Sequence, residues 1–351
     1  MPEIKLAFLG FGNVGQALAR LLLQKRASLQ QEYELTFRTV GIFTRSHGAA
    51  IDPAGIDLES ALENMSTEIP LDSMNAHPSI PDALAFIKDC AADVLFENSP
   101  VNYADGEPAL THLRTALECG MHAITANKGP VVHGYQELQR LAASMGRRFL
   151  FESTVMDGAP IFSLWREALP GAELTSLRGV LNSTTNLILT RMEAGESFDE
   201  AVAYAQRIGI AETDPSGDID GWDAAVKVAA LVTVLMGERL LPAQVDRQGI
   251  RTITLEDVKN AHGEGKRWKL VCEAERTASG LRARVQPRCL DREDPLFAVM
   301  GTSSAVTFHS DVLGALTVTE EDPGPHTTAY GLLADLLNAA APGRQDPRPS
   351  N

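Results

Sequence analysis

Near its start the chain carries glycines at positions 10, 12 and 15. They sit between an apolar run, Ile4 to Leu9, and a segment in which Val14, Leu18, Leu21 and Leu22 recur at helical spacing. An apolar run that stops at a glycine reads as a buried strand, and the helical period after it reads as a helix. In such a strand–turn–helix the first glycine permits the tight turn. The second lets the backbone approach a pyrophosphate, and the third lets helix and strand pack closely. The helix N-terminus then turns free N–H groups and its positive dipole end toward the phosphates. The expected dinucleotide contacts are Gly10, Phe11, Gly12, Asn13, Val14 and Gly15. The competing reading is a plain glycine turn.

The alternation continues along the first half of the chain. Strands are predicted at 36–43, 93–97, 122–127 and 148–154, and helices at 111–120 and 135–145. Residues 45–81 are polar and rich in turn formers, which predicts irregular connections and short helices. Alternating strands and helices make a parallel, doubly wound sheet, a Rossmann-type α/β domain over 1–150. Past that point the character changes. Helices are predicted at 161–168, 185–194, 198–208 and 221–236, then strands at 268–275, 281–286, 305–309 and 315–319. That mixture predicts an α+β substrate and dimerisation domain over 151–320. A C-terminal helix in 321–340 returns toward the nucleotide domain, and the tail 341–351, with three prolines and no apolar face, is expected to be disordered.

The end of the second strand normally carries an acid for the ribose 2′-OH of NAD. Here it reads Gly41-Ile42-Phe43-Thr44-Arg45-Ser46. A carboxylate would repel a 2′-phosphate, whereas Arg45 can pair with one. The pattern favours NADP over NAD, against the reading of Arg45 as a solvated loop charge. The formal net charge of −15 argues against nucleic acid and anionic membrane surfaces as partners. No stretch reaches the ~20 apolar residues of a membrane span. The four cysteines, Cys90, Cys119, Cys272 and Cys289, form no CxxC pair and no Cys/His cluster, which fits reduced thiols in the cytoplasm.

The second half concentrates Glu212, Asp214, Asp218, Asp220 and Asp223 just ahead of Lys227. Asp223 and Lys227 are four apart on a predicted helix and share a face. Lys227 lies among Ala224, Ala225, Val226, Val228, Ala229 and Ala230, so it is either a snorkelling stem or a buried, paired group. Acid-before-base order also suits a plain surface pair, and the residue pattern alone favours that reading. Asp218 and Asp220 could equally be helix N-caps. A calcium loop fails, because the sixth and twelfth positions counted from Asp214 are Ile219 and Ala225.

The same segment resembles the homoserine dehydrogenase family. Asn182-Ser183-Thr184-Thr185-Asn186 and the run from Gly209 to Lys227 match its motifs in order and spacing. So do GFGNVG, the Ala126-Asn127-Lys128 strand end, ESTVMDGAP at 152–160, Gly301-Thr302-Ser303-Ser304-Ala305 and Asp311-Val312-Leu313-Gly314. The resemblance covers about residues 1 to 340. It implies interconversion of aspartate semialdehyde and homoserine, in the biosynthesis of threonine, methionine and isoleucine. By that resemblance Lys227 is the proton donor and acceptor, and Lys128 a second active-site lysine that also reaches the cofactor. Glu212 holds the substrate amino group, Asp223 and Asp218 contact and orient the substrate, and Gly209 lines its pocket. The 152–160 loop looks like a sodium loop, with oxygens from Glu152, Val155, Asp157 and Ala159 around the ion. Its competing reading is a tight turn. A homodimer through the second domain's sheet is also implied.

The residue types suit that chemistry. Hydride delivery to an aldehyde carbon leaves negative charge on oxygen, which an ammonium stabilises and protonates. Some positions depart from the family. Ser183 replaces a frequent glycine, and a shorter segment around Gly324 replaces a glycine-rich loop that touches the cofactor. The strand end holding Asn98 and Ser99 matches a family contact only loosely. A fused kinase or an ACT-type regulatory domain is not expected. The rival readings are an NAD(P)-dependent dehydrogenase of another amino acid or aldehyde, and a non-catalytic cofactor sensor. A sensor would lack the lysines. A phosphorylating semialdehyde dehydrogenase needs a cysteine nucleophile in a polar motif, and none of the four sits in one.

Overall fold

The run Ile4–Leu9 forms β1, and its last four residues are fully covered. Leu6 and Phe8 point to one face of the sheet, Ala7 and Leu9 to the other. Both faces are therefore buried, as a parallel sheet requires. The structure, a computed structural model, describes residues 3–76 and 80–340. The expected tail 341–351 lies outside the described residues. The chain divides into two units, one of residues 1–160 with 324–351 and one of residues 161–323.

In the first unit β1 leads into α1 (Asn13–Tyr33), then β2 (Phe37–Phe43). The stretch expected to be irregular holds a short antiparallel strand, β3 (Ala49–Ile51), and α2 (Leu58–Ser66). The β2–β3 hairpin escapes a sequence reading because three residues are too few to show a period. Next come α3 (Ala83–Asp89), β4 (Val94–Glu97), α4 (Ala109–Glu118), β5 (His122–Thr125), α5 (Lys128–Ser144) and β6 (Phe149–Leu150). The sheet order is β3-β2-β1-β4-β5-β6, parallel but for β3. The chain moves outward from β1 on one side and resumes on the other with β4. The carboxyl ends of β1 and β4 therefore mark the switch point where such sheets bind ligands.

Two boundaries in this unit differ from expectation. Helix α5 starts at Lys128 rather than near 135, because the Asn127 side chain caps it by accepting from the Gly129 N–H at 3.0 Å. Pro130 falls in the first turn, where its missing N–H costs nothing. The strand expected over 148–154 pairs only at Phe149–Leu150 and then coils into a 3₁₀ turn, Glu152–Thr154.

The second unit opens with α6 (Ile161–Ser163), which continues as a π turn, and β7 (Leu174–Val180). Helices α7 (Ser183–Glu193), α8 (Phe198–Arg207), α9 (Ser216–Ile219) and α10 (Trp222–Leu231) come after it. Then come β8 (Asp246–Arg247), α11 (Leu255–Gly263), β9 (Arg267–Thr277), β10 (Gly280–Leu290), β11 (Ser304–Ser310) and β12 (Ala315–Glu320). Their order, β12-β11-β7-β9-β10-β8, is antiparallel except for the two-residue β8–β10 pairing. Strand β7 has no counterpart among the expected strands. Its LTSLRGV mixes threonine, serine and arginine into the run, yet it lies at the middle of the sheet.

The last helix, α12 (Pro325–Ala340), belongs to the first unit. It buries Ala329, Leu332, Leu333 and Leu336 in the same core as Leu18 and Leu22 of α1. Polar bonds fix it as well. Asp335 accepts from the Glu152 N–H at 2.8 Å, and the Arg148 guanidinium donates to the Asn338 carbonyl at 2.8 Å.

Candidate active site

The glycine turn meets its three geometric demands. Gly10 has φ +95°, and a Cβ there would lie 2.5 Å from the Asn98 carbonyl oxygen. A Cβ on Gly15 would lie 2.6 Å from the Gly10 carbonyl oxygen. At Gly12 the space is open, with nothing within 4 Å of a Cβ. So two glycines are needed for packing and one leaves room for a ligand to touch backbone. Gly12 is also the N-cap of α1 and supplies no side-chain cap, which leaves the helix end available to an anion. Phe11 is buried edge-on against Phe8, while Asn13 and Val14 begin the helix.

The other expected cofactor residues belong to the same unit. Asn98 lies just past β4, and its N–H donates to the Leu9 carbonyl at 2.8 Å. Both polar atoms of its side chain are buried without a hydrogen-bond partner. Ser99 is tied to Glu97 through its N–H at 3.1 Å and its hydroxyl. Lys128 is the first residue of α5. Arg45 lies exposed in the β2–β3 turn, which Thr44 closes by hydrogen bonds to residues 47 and 48. Gly324 precedes α12, where its carbonyl accepts from the hydroxyls of Thr327 and Thr328.

In the second unit the acidic run separates into structural and site members. Asp214 holds the Ser216 N–H at 3.0 Å, and Asp220 pairs with Arg251 at 2.5 Å. Neither caps α10, whose N-cap is Gly221 at φ +79°. Asp218 and Asp223 instead converge on the amide of Asn182, which donates to both, at 2.7 and 3.0 Å. The other end of that amide caps α7 by accepting from Thr185. Burial, reinforced by the Asp223 charge, pushes the Asp218 carboxyl above the usual carboxylate range.

Lys227 completes the group. The preference for an exposed surface pair is overturned, since Asp223 is 7% exposed and the Lys227 side chain 14%. Helix α10 packs on β9 and β10. The ammonium lies 3.3 Å from Asp223 and donates to the Leu181 carbonyl at 2.6 Å. An ammonium has three N–H bonds. Two are used here, and the third meets no partner among the described residues.

Glu212 projects into solvent from the turn after α8, with its backbone carbonyl held by Gln206 at 3.2 Å. No ion-pair partner faces it among the described residues, so its charge is open to an ammonium. Gly209 ends α8 at φ +76°, a left-handed turn that explains a glycine there independently of any ligand. Asn182 is the residue of this cluster that sequence reasoning misses. Its spacing from Asp218 and Asp223 carries no periodic signal.

The 152–160 loop turns at Asp157, φ +34°. Inside the loop, the Phe151 carbonyl accepts from Thr154 and the Met156 carbonyl from Ala159. Neither is in the candidate ion set of Glu152, Val155, Asp157 and Ala159, whose oxygens suit a hard cation. Among the described residues no group of three or more His, Cys, Asp or Glu side chains could hold a metal ion. No described helix is long and apolar enough to cross a membrane. Burial raises the Cys272 thiol to about 12 and that of Cys90 to about 11, so neither offers a thiolate.

The chain is similar throughout to proteins of one activity. Residues 160–337 match the family described as homoserine dehydrogenase, and residues 10–152 match the homoserine dehydrogenase NAD binding domain. The NAD(+)-dependent homoserine dehydrogenase of Pseudomonas canavaninivorans is 39% identical over 345 residues, covering 96% of each chain. The homoserine dehydrogenase of Methanocaldococcus jannaschii is 37% identical, over 94% of this chain and 96% of its own. Among solved structures, a hyperthermophilic archaeal homoserine dehydrogenase in complex with NADPH superimposes with a TM-score of 0.81 at 29% identity. That match covers 96% of this chain and 98% of the other.

Proposed function

The chain belongs to the homoserine dehydrogenase family, and on that premise we propose how its residues divide the work of interconverting L-aspartate 4-semialdehyde and L-homoserine. It is an NAD(P)-binding oxidoreductase that acts on a CH–OH group of a small amino-acid substrate. When bound, the dinucleotide donates or accepts the hydride. Gly10, Phe11, Gly12, Asn13, Val14 and Gly15 hold its pyrophosphate through backbone N–H groups, with Asn98, Ser99 and Gly324 contributing further contacts.

Lys227 moves the proton. One observation carries that assignment: a half-buried ammonium, fixed by a carbonyl and a carboxylate, with one N–H left to give. It stabilises the oxyanion that forms on reduction and protonates it, and in the oxidative direction it takes the hydroxyl proton. Glu212 receives the substrate ammonium, Asp218 and Asp223 orient the substrate and the lysine, and Gly209 lines the pocket. Lys128 supplies the second ammonium.

The test measures NADPH absorbance with L-aspartate 4-semialdehyde, and separately with oxaloacetate plus ammonia. Oxidation with the first and none with the second is expected. The reverse result would make this an ammonia-releasing amino-acid dehydrogenase and end the proposal.

Arg45 supports NADP as the preferred cofactor. It is exposed, lacks a partner among the described residues, and stands where an acid would favour NAD. Arg45→Ala should then lower kcat/KM for NADPH about tenfold and leave NADH unchanged. A sodium ion on the 152, 155, 157 and 159 oxygens would make turnover fall when choline replaces sodium. A homodimer through the second sheet, tested by light scattering, and a cytoplasmic location in keeping with four unpaired thiols complete the reading.

A further inference from the structure

Glu97 ends β4 at the switch point, fully enclosed at 0% exposure. Hydroxyls and amides hold its carboxylate, rather than arginine or lysine. One oxygen accepts the Ser99 N–H at 3.1 Å and the Ser99 hydroxyl. The other lies 3.1 Å from the Thr125 hydroxyl, which also reaches the Glu97 carbonyl at 2.8 Å. The His112 ring stands 3.6 Å away. From there the network continues. The Thr125 hydroxyl accepts from the Asn127 N–H at 2.9 Å, and the Asn127 amide donates to the Ser99 carbonyl at 3.2 Å. Asn127 in turn caps the helix that begins at Lys128.

The ring of bonds thus joins two short segments. One is 98–100, pressed against Gly10 of the nucleotide turn; the other is 127–128. The first carries the Asn98 amide, whose two buried polar atoms lack partners. A buried amide left unmatched is destabilising unless a ligand satisfies it. We propose that Glu97 is a positioning residue for hydride transfer. By gripping Ser99 and, through Thr125, Asn127, it sets Asn98 and the start of α5 in register with the nicotinamide end of the cofactor. This rests on the reading of the chain as a homoserine dehydrogenase, and it assigns work to a residue that touches no reacting atom.

The experiment compares wild type with Glu97→Gln, Glu97→Asp, Thr125→Val and the Glu97→Gln/Thr125→Val pair. It measures kcat per folded molecule, binding of NADPH, and binding of 2′-phospho-ADP-ribose, which lacks the nicotinamide. Glu97→Gln should lower kcat and weaken NADPH about tenfold or more while leaving the nicotinamide-free probe within about twofold. Glu97→Asp should recover part of the loss. Because both residues act through one network, the pair should be no worse than Glu97→Gln alone. A loss of melting temperature with kcat and both affinities unchanged would reduce Glu97 to a structural tie and overturn the proposal. If Glu97→Gln does not fold, the isosteric Thr125→Val carries the same comparison. A wild type inactive on the semialdehyde would sink the functional reading, while the two binding measurements still judge Glu97.

Discussion

The second unit covers two lysines, Lys227 in part and Lys269 wholly, in very different company. Lys227 sits on α10 beside a carboxylate and one carbonyl, with an N–H to spare. Lys269 sits on β9 at 0% exposure and donates to the Asn186 amide oxygen at 2.8 Å and to the Val299 carbonyl, with the Met300 sulfur at 3.6 Å. All three of its N–H bonds meet neutral acceptors. Helix α7 serves both lysines from one face. Asn182 joins the acids beside the first, and Asn186, one turn on, accepts from the second. Burial therefore does not mark a catalytic lysine. Under the proposed assignment, what sets Lys227 apart is an unfilled donor next to carboxylates, whereas saturation by amide and carbonyl oxygens makes Lys269 a clamp that holds α7 to the 299–303 turn.

The contrast is sharpest when each lysine is removed. Lys227→Ala should cut kcat by about a thousandfold or more while NADPH binding, monitored by fluorescence, is retained. Next in size, Asn182→Ala leaves Asp218 and Asp223 facing each other without their shared donor. It should lower kcat/KM for the semialdehyde about ten- to a hundredfold, mostly through KM. Lys269→Met should keep kcat within about threefold of wild type. A loss matching that of Lys227→Ala would erase the distinction between the two lysines.

A separate expected effect appears in stability against pH. Burial lowers Lys269 to about 8, below its ordinary 10.5. Between those values the unfolded chain holds a proton that the folded chain has released. Stability therefore rises with pH across the window 8 to 10.5, and this contribution is lost as pH falls through 8. The shift amounts to something on the order of 3 kcal/mol. Denaturant midpoints at about pH 8 and about pH 10 should show the rise in wild type, and Lys269→Met should flatten it. A persistent rise in that variant would locate the titration elsewhere.

Some of this is plain in the sequence. Gly10, Gly12 and Gly15 are legible because their demands are local: a turn, a close approach and an open backbone within six positions. The run from Gly209 to Lys227 is legible as a concentration of acids ahead of an apolar helix. The status of Lys227 is not, because an acid four residues before a lysine has the same spelling on a wet face and under a sheet. Asn182 and Glu97 are hidden for a related reason. Their partners lie 36 and 28 residues away, and such pairings are made by topology rather than by period. Likewise α5 reads shorter than it is, because its first turn is specified by a cap and a proline rather than by apolar spacing.

Helix α12 has a further consequence for how the chain is made. The nucleotide-binding unit takes Ala329, Leu332, Leu333 and Leu336 of its core from a helix that leaves the ribosome after the whole of the second unit. The second unit, ending at residue 323, is fully synthesised before them. The usual order of domain maturation from the N-terminus is thereby reversed. A nascent chain halted just short of position 325 would present a finished substrate unit and a nucleotide sheet with one apolar flank bare, a natural target for a chaperone.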